Sequence, residues 1–145
     1  MAVWVTTTDC YIPEHAIRAG YEADGRPLFI ARASIEGDLT PGKCGFHLQG
    51  AHIPYGCKEV VVHQYEVLVH ANNASGFYDW QRAARGRVPN DAVSSDTDLY
   101  VGRAYFSGGL IPCKVATASS HMCAYIGCEG VEHSTMDYEV LCKIK

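Results

Sequence analysis

Hydrophobic and polar residues alternate along this chain in short runs, not in long helical periods. The runs are rich in β-branched and aromatic residues and are bounded by Gly, Pro, Asn or Asp, which is the pattern of short strands. The clearest predicted strands are residues 28–35, 60–69, 99–106, 122–126 and 138–144. Residues 14–19 and 79–85 could each form one turn of helix, but neither is long enough for an amphipathic helix. The pattern therefore predicts an all-β fold.

The chain contains two copies of one pattern. The opening Trp4 returns as Trp80, and both copies close on the tetrapeptide Tyr-Glu-Val-Leu, at 65–68 and 138–141. Between these ends, the blocks that repeat are 28–33 with 99–104, 37–43 with 108–114, and Gly56-Cys57 with Gly127-Cys128. The first repeat thus runs from about residue 4 to 71 and the second from about 77 to 145, with the turn-rich stretch 72–76 as the joint.

The size of the repeats predicts how they are arranged. Each has about 70 residues, near the size at which an isolated hydrophobic core becomes marginal. We therefore expect residues 1–145 to form a single domain of short antiparallel strands, in which the two repeats share one core about a pseudo-twofold axis.

Charge and hydropathy narrow the class of partner. The formal charge is -4, and Lys and Arg are scattered without a basic run, so we expect no nucleic acid. The longest apolar stretch is interrupted by His63, Gln64 and Glu66, so we expect no membrane insertion. The first residues lack a basic region and an apolar signal core, so we expect a cytoplasmic protein, while release from the cell stays open.

The seven cysteines do not suggest a disulfide scaffold. Their number is odd and the chain is large enough to fold without cross-links, so we expect reduced thiols. Cys44, Cys113 and Cys142 are predicted to be small apolar residues in or beside strands.

Metal binding and catalysis are weaker alternatives. Two groups of His and Cys could hold a metal, although neither has zinc spacing: His47, His52 and Cys57, and a looser group of His121, Cys123, Cys128 and His133. No thiol-enzyme signature, phosphate loop or nucleophile elbow is present in the sequence. We expect no enzyme activity and no cofactor.

Charged residues that recur in both copies belong to the scaffold or to a duplicated site. Arg32 and Arg103 occupy matching strand positions, as do Glu66 and Glu139, and these four are predicted to form two structural ion pairs or to be half-buried charges on a strand face. Each Lys at 43 and 114 follows a proline-containing turn, where we expect a side chain held by rigid backbone yet accessible to solvent.

The loop 20–25 belongs to the first repeat alone, since its counterpart 94–98 is shorter. One interpretation is that Glu22 and Asp24 merely form turns. The other is that Glu22 faces Lys43 across a shallow pocket and binds a polyol, because vicinal hydroxyls can donate to a carboxylate and accept from an ammonium. Nearby Tyr rings could supply an apolar platform for a sugar.

Several motifs resemble the DM-nine repeat family over essentially the whole chain. They are the opening Trp4 with Ile12-Pro13, then Ala16-Ile17-Arg18-Ala19-Gly20-Tyr21, Thr40-Pro41-Gly42-Lys43-Cys44, Gly50-Ala51-His52-Ile53-Pro54, and the closing Tyr-Glu-Val-Leu. The resemblance implies an all-β protomer of two tandem repeats, usually a homodimer with exchanged terminal strands. It also implies a metal-independent lectin for mannose and mannans that serves innate immune recognition of microbes.

The resemblance also implies which residues hold the sugar. The acid and the lysine that bind mannose in this family map to Glu22 and Lys43, although the expected acid is Asp. Asp38 is a weaker candidate contact in the same turn as Lys43. Lys114 matches Lys43, and a second site would need Asp96 or Asp98 as its acid. The alternatives to a lectin are a non-catalytic interaction scaffold and a Cys/His metal-binding protein.

Overall fold

The computed structural model describes residues 2–70 and 77–144, and regular structure in these residues is strand throughout. The predicted joint 72–76 lies outside the described residues. The all-β fold class is confirmed. The strands are β1 (Ala2–Thr8), β2 (Arg18–Tyr21), β3 (Pro27–Ile35), β4 (Asp38–Cys44), β5 (Ala51–Tyr55), β6 (Lys58–Val62), β7 (Gln64–His70), β8 (Tyr78–Ala84), β9 (Ser94–Asp96), β10 (Leu99–Phe106), β11 (Gly109–Ala116), β12 (Cys123–Cys128), β13 (Val131–Thr135) and β14 (Asp137–Lys143).

The strand order is symmetric about its middle. It runs β1-β7-β3-β4-β5-β6 and then β13-β12-β11-β10-β14-β8, so each strand of the first repeat has its counterpart at the mirrored place. The two short strands lie off this path, with β2 paired to β3 and β11 and β9 paired to β10. Pairs with assigned register are antiparallel, as expected for hairpin-connected strands.

Strands of the two repeats contact each other at several places. In the middle of the sheet, Lys58 of β6 pairs with Val131 of β13. Elsewhere, Tyr21 of β2 pairs with Leu110 of β11, and β9 packs on β4 through the Ser95 hydroxyl, which donates to the Leu39 carbonyl at 2.6 Å. The last two contacts are equivalent under the pseudo-twofold axis, so each repeat contributes a short strand to the flank of the other.

Three hydrophobic clusters fill the interior. One is built mainly from the second repeat and one from the first. The third combines Ala19, Ile30 and Leu68 of the first repeat with Val101 and Leu141 of the second. The repeats therefore bury apolar surface against each other as well as within themselves.

The predicted scaffold ion pairs are confirmed. Arg32 Nε donates to Glu66 Oε1 at 2.7 Å, and its guanidinium carbon lies 4.2 Å from the ring centroid of Trp4. Arg103 repeats this arrangement with Glu139 at 2.7 Å and Trp80 at 4.3 Å. Each guanidinium also donates to a backbone carbonyl of the other repeat, that of Ser95 for the first arginine and that of Ala19 for the second.

Several sequence-based expectations are wrong in detail. Residues 79–85 lie in β8 and its following turn, and 14–19 comprise a turn, an isolated bridge from Ala16 to Val69 and the start of β2, so neither segment is helical. The predicted strand 60–69 is interrupted at His63, between β6 and β7. Gly56 lies in a turn with φ of 60°, whereas Gly127 lies inside β12 and pairs with Glu132, so the two Gly-Cys dipeptides are not equivalent.

Candidate functional site

The two lysines that follow Pro41 and Pro112 are buried. Lys43 is 5% exposed in β4 and Lys114 is 8% exposed in β11, so the expectation that they are solvent accessible is wrong. A buried ammonium loses its hydration and needs an acidic partner to remain charged. Lys43 Nζ lies 3.3 Å from Glu59 Oε2, and Lys114 Nζ lies 3.2 Å from Glu132 Oε2.

Each of these acids also joins the two repeats. Glu59 Oε1 accepts a hydrogen bond from the backbone N–H of Gly130 at 3.3 Å, and Glu132 Oε1 accepts one from the N–H of Cys57 at 3.0 Å. Both glutamates are the second residue of the strand that follows a glycine-containing turn. Sequence reasoning missed them, although an acid at this position in both copies was a usable signal.

Glu22 and Lys43 line one open cavity of about 360 Å³, hereafter the Lys43 cavity. Its wall is built by both repeats, since residues of the loop after β2 and of β4, β5 and β6 face residues of β10, β11 and β12 and of the turns after β10 and β12. From the second repeat come Phe106, Ser107, Ile111, Cys128 and Glu129. The fold thus brings the predicted acid and lysine to the same concave surface.

Glu22 is held in place by a histidine. It follows β2 directly, its N–H donates to the Arg26 carbonyl at 2.9 Å, and its Oε2 lies 2.7 Å from His47 Nε2. Asp24 is a turn-forming acid of this loop, because it accepts hydrogen bonds from the N–H and the Nε of Arg26. Both loop acids take part in the turn, since the Gly25 N–H also donates to the Glu22 carbonyl at 2.9 Å, and both residues line the cavity.

The Lys43 cavity has a dense charge network at its base. Lys43 Nζ donates to the Gly127 carbonyl at 2.9 Å, and His52 Nδ1 lies 3.0 Å from Glu59 Oε1. Burial raises the pKa of Glu59, but the hydrogen bond from His52 and the charge of Lys43 outweigh it and lower the pKa to about 2. Glu59 is therefore an anion at neutral pH and a fixed acceptor beside the lysine.

A second, larger cavity of about 620 Å³ surrounds Lys114, hereafter the Lys114 cavity. Asp38 lines this cavity and not the Lys43 cavity, so its expected role beside Lys43 is wrong. The cause is topological: Asp38 begins β4 and Lys43 lies five residues further along it, so the two occupy distant points of one extended strand.

The two candidate acids of the second repeat have different surroundings. Asp96 accepts hydrogen bonds from the N–H of Leu39 and the N–H of Thr97, both at 2.8 Å, and these bonds lower the pKa of Asp96. Its carboxylate thus fastens β9 to β4 and does not line the cavity. Asp98 does line the Lys114 cavity.

The histidines and cysteines of the proposed metal groups are dispersed. His47 and His52 each lie against a carboxylate, Glu22 and Glu59 respectively. His121 Nδ1 lies 2.8 Å from the Tyr125 hydroxyl, and the ring of His133 lies on Phe106. Across residues 2–70 and 77–144, three or more His, Cys, Asp or Glu side chains do not come together as a metal-binding group. The same described residues include no helix with the length and hydropathy needed to cross a bilayer.

The cysteines in the strands are buried as predicted. Cys44, Cys113 and Cys142 are at most 1% exposed, and burial raises the pKa of each thiol. All seven cysteines are free thiols, and Cys57 is exposed at the turn between β5 and β6.

Two curated proteins are similar to this chain in sequence. Natterin-4 of Thalassophryne nattereri is 27% identical over 131 residues, which are 90% of this chain and 31% of that protein. Natterin-3 of the same organism is 25% identical over 130 residues, which are 90% of this chain and 33% of that protein. The chain therefore spans about a third of the length of these relatives.

Structure and family comparisons cover nearly all of the chain. The crystal structure of the nematode sperm cell motility protein MFP2B superposes with a TM-score of 0.76 at 12% identity, over 99% of this chain and 44% of that one, which shows a shared fold. The DM9 repeat model matches residues 1–47, 29–97 and 94–145, and these overlapping matches together span the sequence. This chain belongs to the DM9 repeat family.

Proposed function

We propose that the chain is a lectin that binds neutral hexoses of the mannose type in the Lys43 cavity, without metal and without catalysis. The observation that carries the proposal is that Glu22 and Lys43, which are 21 positions apart in the sequence, line one open cavity. A ligand in that cavity meets a carboxylate and an ammonium together.

The polar groups of the Lys43 cavity complement a pair of vicinal hydroxyls. The Lys43 ammonium has three N–H donors, and the Gly127 carbonyl takes one of them at 2.9 Å. A hexose hydroxyl can accept from the ammonium while its neighbour donates to the carboxylate of Glu22. Charge-assisted hydrogen bonds of this kind are shorter and stronger than neutral ones.

The length of Glu22 is compatible with this role. Glutamate has one methylene more than the aspartate that the family resemblance implies, so an unrestrained carboxylate would sample more positions. His47 removes that freedom, because its Nε2 lies 2.7 Å from Oε2 and the glutamate side chain is only 21% exposed. The remaining oxygen, Oε1, is the acceptor that we assign to the sugar.

The charge of the cavity favours a neutral ligand. Its lining contains four carboxylates and three basic side chains, the acids being Glu22, Asp24, Glu59 and Glu129 and the bases Arg26, Lys43 and His52. An excess of negative charge repels carboxylated or sulfated sugars by Coulomb's law. Mannose-type hexoses carry no charge and avoid this cost.

A single open site of this kind binds a monosaccharide weakly, with a Kd on the order of millimolar. Useful recognition then depends on several sites that contact one polymeric glycan, where avidity multiplies affinity by roughly a hundredfold or more. We propose microbial mannans as such a polymer, a homodimer as the binding form, and innate immune recognition as the setting.

The test is binding of the purified chain to mannan-agarose, with and without chelator, and titration with methyl α-mannoside. Glu22→Gln keeps the shape of the side chain and removes its charge, and we expect it to weaken binding at least fivefold. The double variant of Lys43→Met with Glu59→Gln removes both charges of a buried pair at once, which avoids an unpaired buried ion. We expect it to abolish binding in this cavity.

The matched control is Lys143→Ala, which removes an exposed lysine of β14. It should bind mannan as the parent chain does, and the chelator should have no effect. The proposal fails if Glu22→Gln and the double variant, both shown to be folded by circular dichroism, bind methyl α-mannoside with unchanged affinity. It also fails if the parent chain binds no glycan.

A further inference from the structure

The two lysine cavities share a charged base but differ in the side chains around it. Lys43 pairs in register with His52, whereas Lys114 pairs with Tyr125. At the last strand position before the turn, β5 has Tyr55 where β12 has Cys128. Because each cavity borrows this turn from the other repeat, Tyr55 lines the Lys114 cavity and Cys128 lines the Lys43 cavity. The Lys114 cavity thus has two aromatic rings where its counterpart has a histidine and a thiol.

Both rings are held against the lysine. Lys114 Nζ lies 5.0 Å from the ring centroid of Tyr55 and 5.2 Å from that of Tyr125, within the range of a cation–π contact. The Tyr125 hydroxyl also lies 2.8 Å from His121 Nδ1. Both rings therefore line the cavity beside the ammonium, where a ligand can pack on them.

The base of the Lys114 cavity contains an acceptor that the protein does not satisfy. Glu132 Oε2 is buried and lacks a hydrogen-bond partner among the described residues, although the Lys114 ammonium lies 3.2 Å away without hydrogen-bond alignment. A buried carboxylate oxygen left unsatisfied is costly, so a donor from a ligand would be favourable there. Asp38 and Asp98 add two further acceptors at the lining.

We propose that the Lys114 cavity is a second saccharide site, which takes a neutral pyranose whose apolar face packs on Tyr55 and Tyr125. The proposal rests on the proposed function for the class of ligand but concerns a different cavity. One or two hydroxyls accept from Lys114 and donate to Glu132 or Asp98, and the ring carbons cover the aromatic walls. This combination of one flat apolar wall and a few convergent polar groups is typical of small-molecule sites.

Size and charge agree with such a ligand. The cavity of about 620 Å³ falls within the roughly 300–1,000 Å³ common for ligand pockets, so it has room for more than one sugar unit. Its lining contains three acids, Asp38, Asp98 and Glu132, against Lys114 and His121, so acidic sugars are disfavoured, as in the Lys43 cavity. One chain therefore carries two non-equivalent sites and can bridge two glycans without a second subunit.

The test is an NMR titration of the isotope-labelled chain, which detects millimolar binding and reports each cavity separately. The probes are methyl α-mannoside, methyl β-galactoside and N-acetylglucosamine, with N-acetylneuraminic acid as the acidic sugar. We expect at least one neutral sugar to shift the amide signals of Tyr55, Cys57 and Tyr125, and the acidic sugar to shift none of them. Tyr125→His introduces the residue type that the Lys43 cavity has at the equivalent position, His52. It should raise the Kd derived from this set of shifts about tenfold.

The matched control is Tyr105→Ala, which removes a tyrosine that is 72% exposed and lies outside both cavities. If shifts are confined to the Lys43 cavity and Tyr125→His changes nothing, the second site is refuted and the proposed function stands. If shifts are confined to the Lys114 cavity, the second site stands and the assignment of the Lys43 cavity fails. If none of the neutral sugars shifts either set, both proposals fail.

Discussion

Lys43 and Glu59 form a buried ion pair, with Nζ and Oε2 3.3 Å apart and side chains that are 6% and 7% exposed. The acid is on the strand that joins the two repeats, while the lysine is on the strand that lines the cavity. The pair therefore links the stability of the domain to the charge of its candidate binding site.

The first prediction concerns the pH dependence of stability. Burial raises the pKa of Glu59, but His52 and Lys43 lower it to about 2, below the ordinary value of 4.5. A lowered pKa in the folded state gives stability that is complete above pH 4.5 and is lost as the pH falls toward 2. Urea unfolding at pH 3, 5 and 7 should show this loss in the parent chain and a flatter profile in Glu59→Gln.

The same variant should be less stable at neutral pH by about 3 kcal/mol, because it leaves the Lys43 ammonium buried without its counter-ion. Glu14→Gln is the control, since the Glu14 side chain is 88% exposed and should not alter the profile. Parallel pH profiles for the parent chain and Glu59→Gln would contradict the assignment.

The second prediction concerns Arg32, which joins three partners. Its guanidinium bonds Glu66, lies over Trp4 and donates to the Ser95 carbonyl of the other repeat at 3.0 Å. Lysine cannot reproduce this planar arrangement of donors, so Arg32→Lys should lower the free energy of unfolding by about 2 kcal/mol. The measurement is urea denaturation.

Arg103→Lys provides an internal comparison, because its partners are the symmetry equivalents of those of Arg32. The decreases in the free energy of unfolding caused by the two substitutions should agree within about 1 kcal/mol. Arg18→Lys, at an exposed position, should lower the free energy of unfolding very little. A large loss for one arginine with none for the other would show that the two repeats do not share this interaction energetically.

The third prediction concerns the contact of β2 with β11. A Cβ on Gly20 would lie 1.9 Å from the backbone carbonyl oxygen of Leu110, so Gly20→Ala must push the two strands apart. We expect a loss of about 3 kcal/mol or failure to fold. Gly25→Ala is the comparison: φ is +92° there and no atom lies within 4 Å of the added carbon, so it should cost about 1 kcal/mol through backbone strain alone. Equal decreases in the free energy of unfolding for Gly20→Ala and Gly25→Ala would contradict the close approach of Gly20 to the Leu110 backbone.

The fourth prediction concerns thiol reactivity. Cys57 is exposed at the rim of the Lys114 cavity, whereas burial raises the pKa of Cys44 and Cys113 and removes their thiolates. A thiol reagent such as dithiobis-nitrobenzoate should therefore modify Cys57 first in the folded protein and Cys44 and Cys113 only after unfolding. Mass spectrometry of the labelled peptides identifies the sites, and Cys57→Ser should lose the fast phase.

The sequence predicted those strands whose own residues alternate or whose β-branched content is high. Strand β10, for example, was predicted with its observed bounds, Leu99–Phe106. The prediction failed where local chemistry favours turns but tertiary context overrides it. Pro41 and Pro112 both suggested turns, yet each lies within a strand, β4 and β11, opposite an arginine of the neighbouring strand.

The sequence-based prediction of the edge strand β8 failed for a different reason. Its sequence Tyr-Asp-Trp-Gln-Arg-Ala-Ala has few β-branched residues, and its burial is irregular along the strand. It pairs with β14 at one side only, so its conformation follows from the register with that strand and not from its own composition. The local pattern of hydrophobic and polar residues does not show which strand β8 pairs with.

The candidate site was predictable in part. The family resemblance pointed to Glu22 and Lys43, and the structure places both at one cavity. The acids Glu59 and Glu132 were missed because it is strand pairing that brings each of them to its lysine. They follow Lys43 and Lys114 by 16 and 18 positions, and local sequence spacing does not reveal such pairs. Asp38 was assigned to the wrong cavity because an extended strand separates residues that look adjacent in sequence.

Both cavities obtain their lysine from one repeat and part of their rim from the other. Each copy of the motif consequently forms part of both cavities, and loss of either copy would eliminate both. A substitution at Cys57 would alter the Lys114 cavity, and one at Glu129 would alter the Lys43 cavity, so each changes the cavity whose lysine lies in the opposite repeat. We therefore expect the two copies to accumulate substitutions together and not independently, because each shapes a cavity that the other also forms.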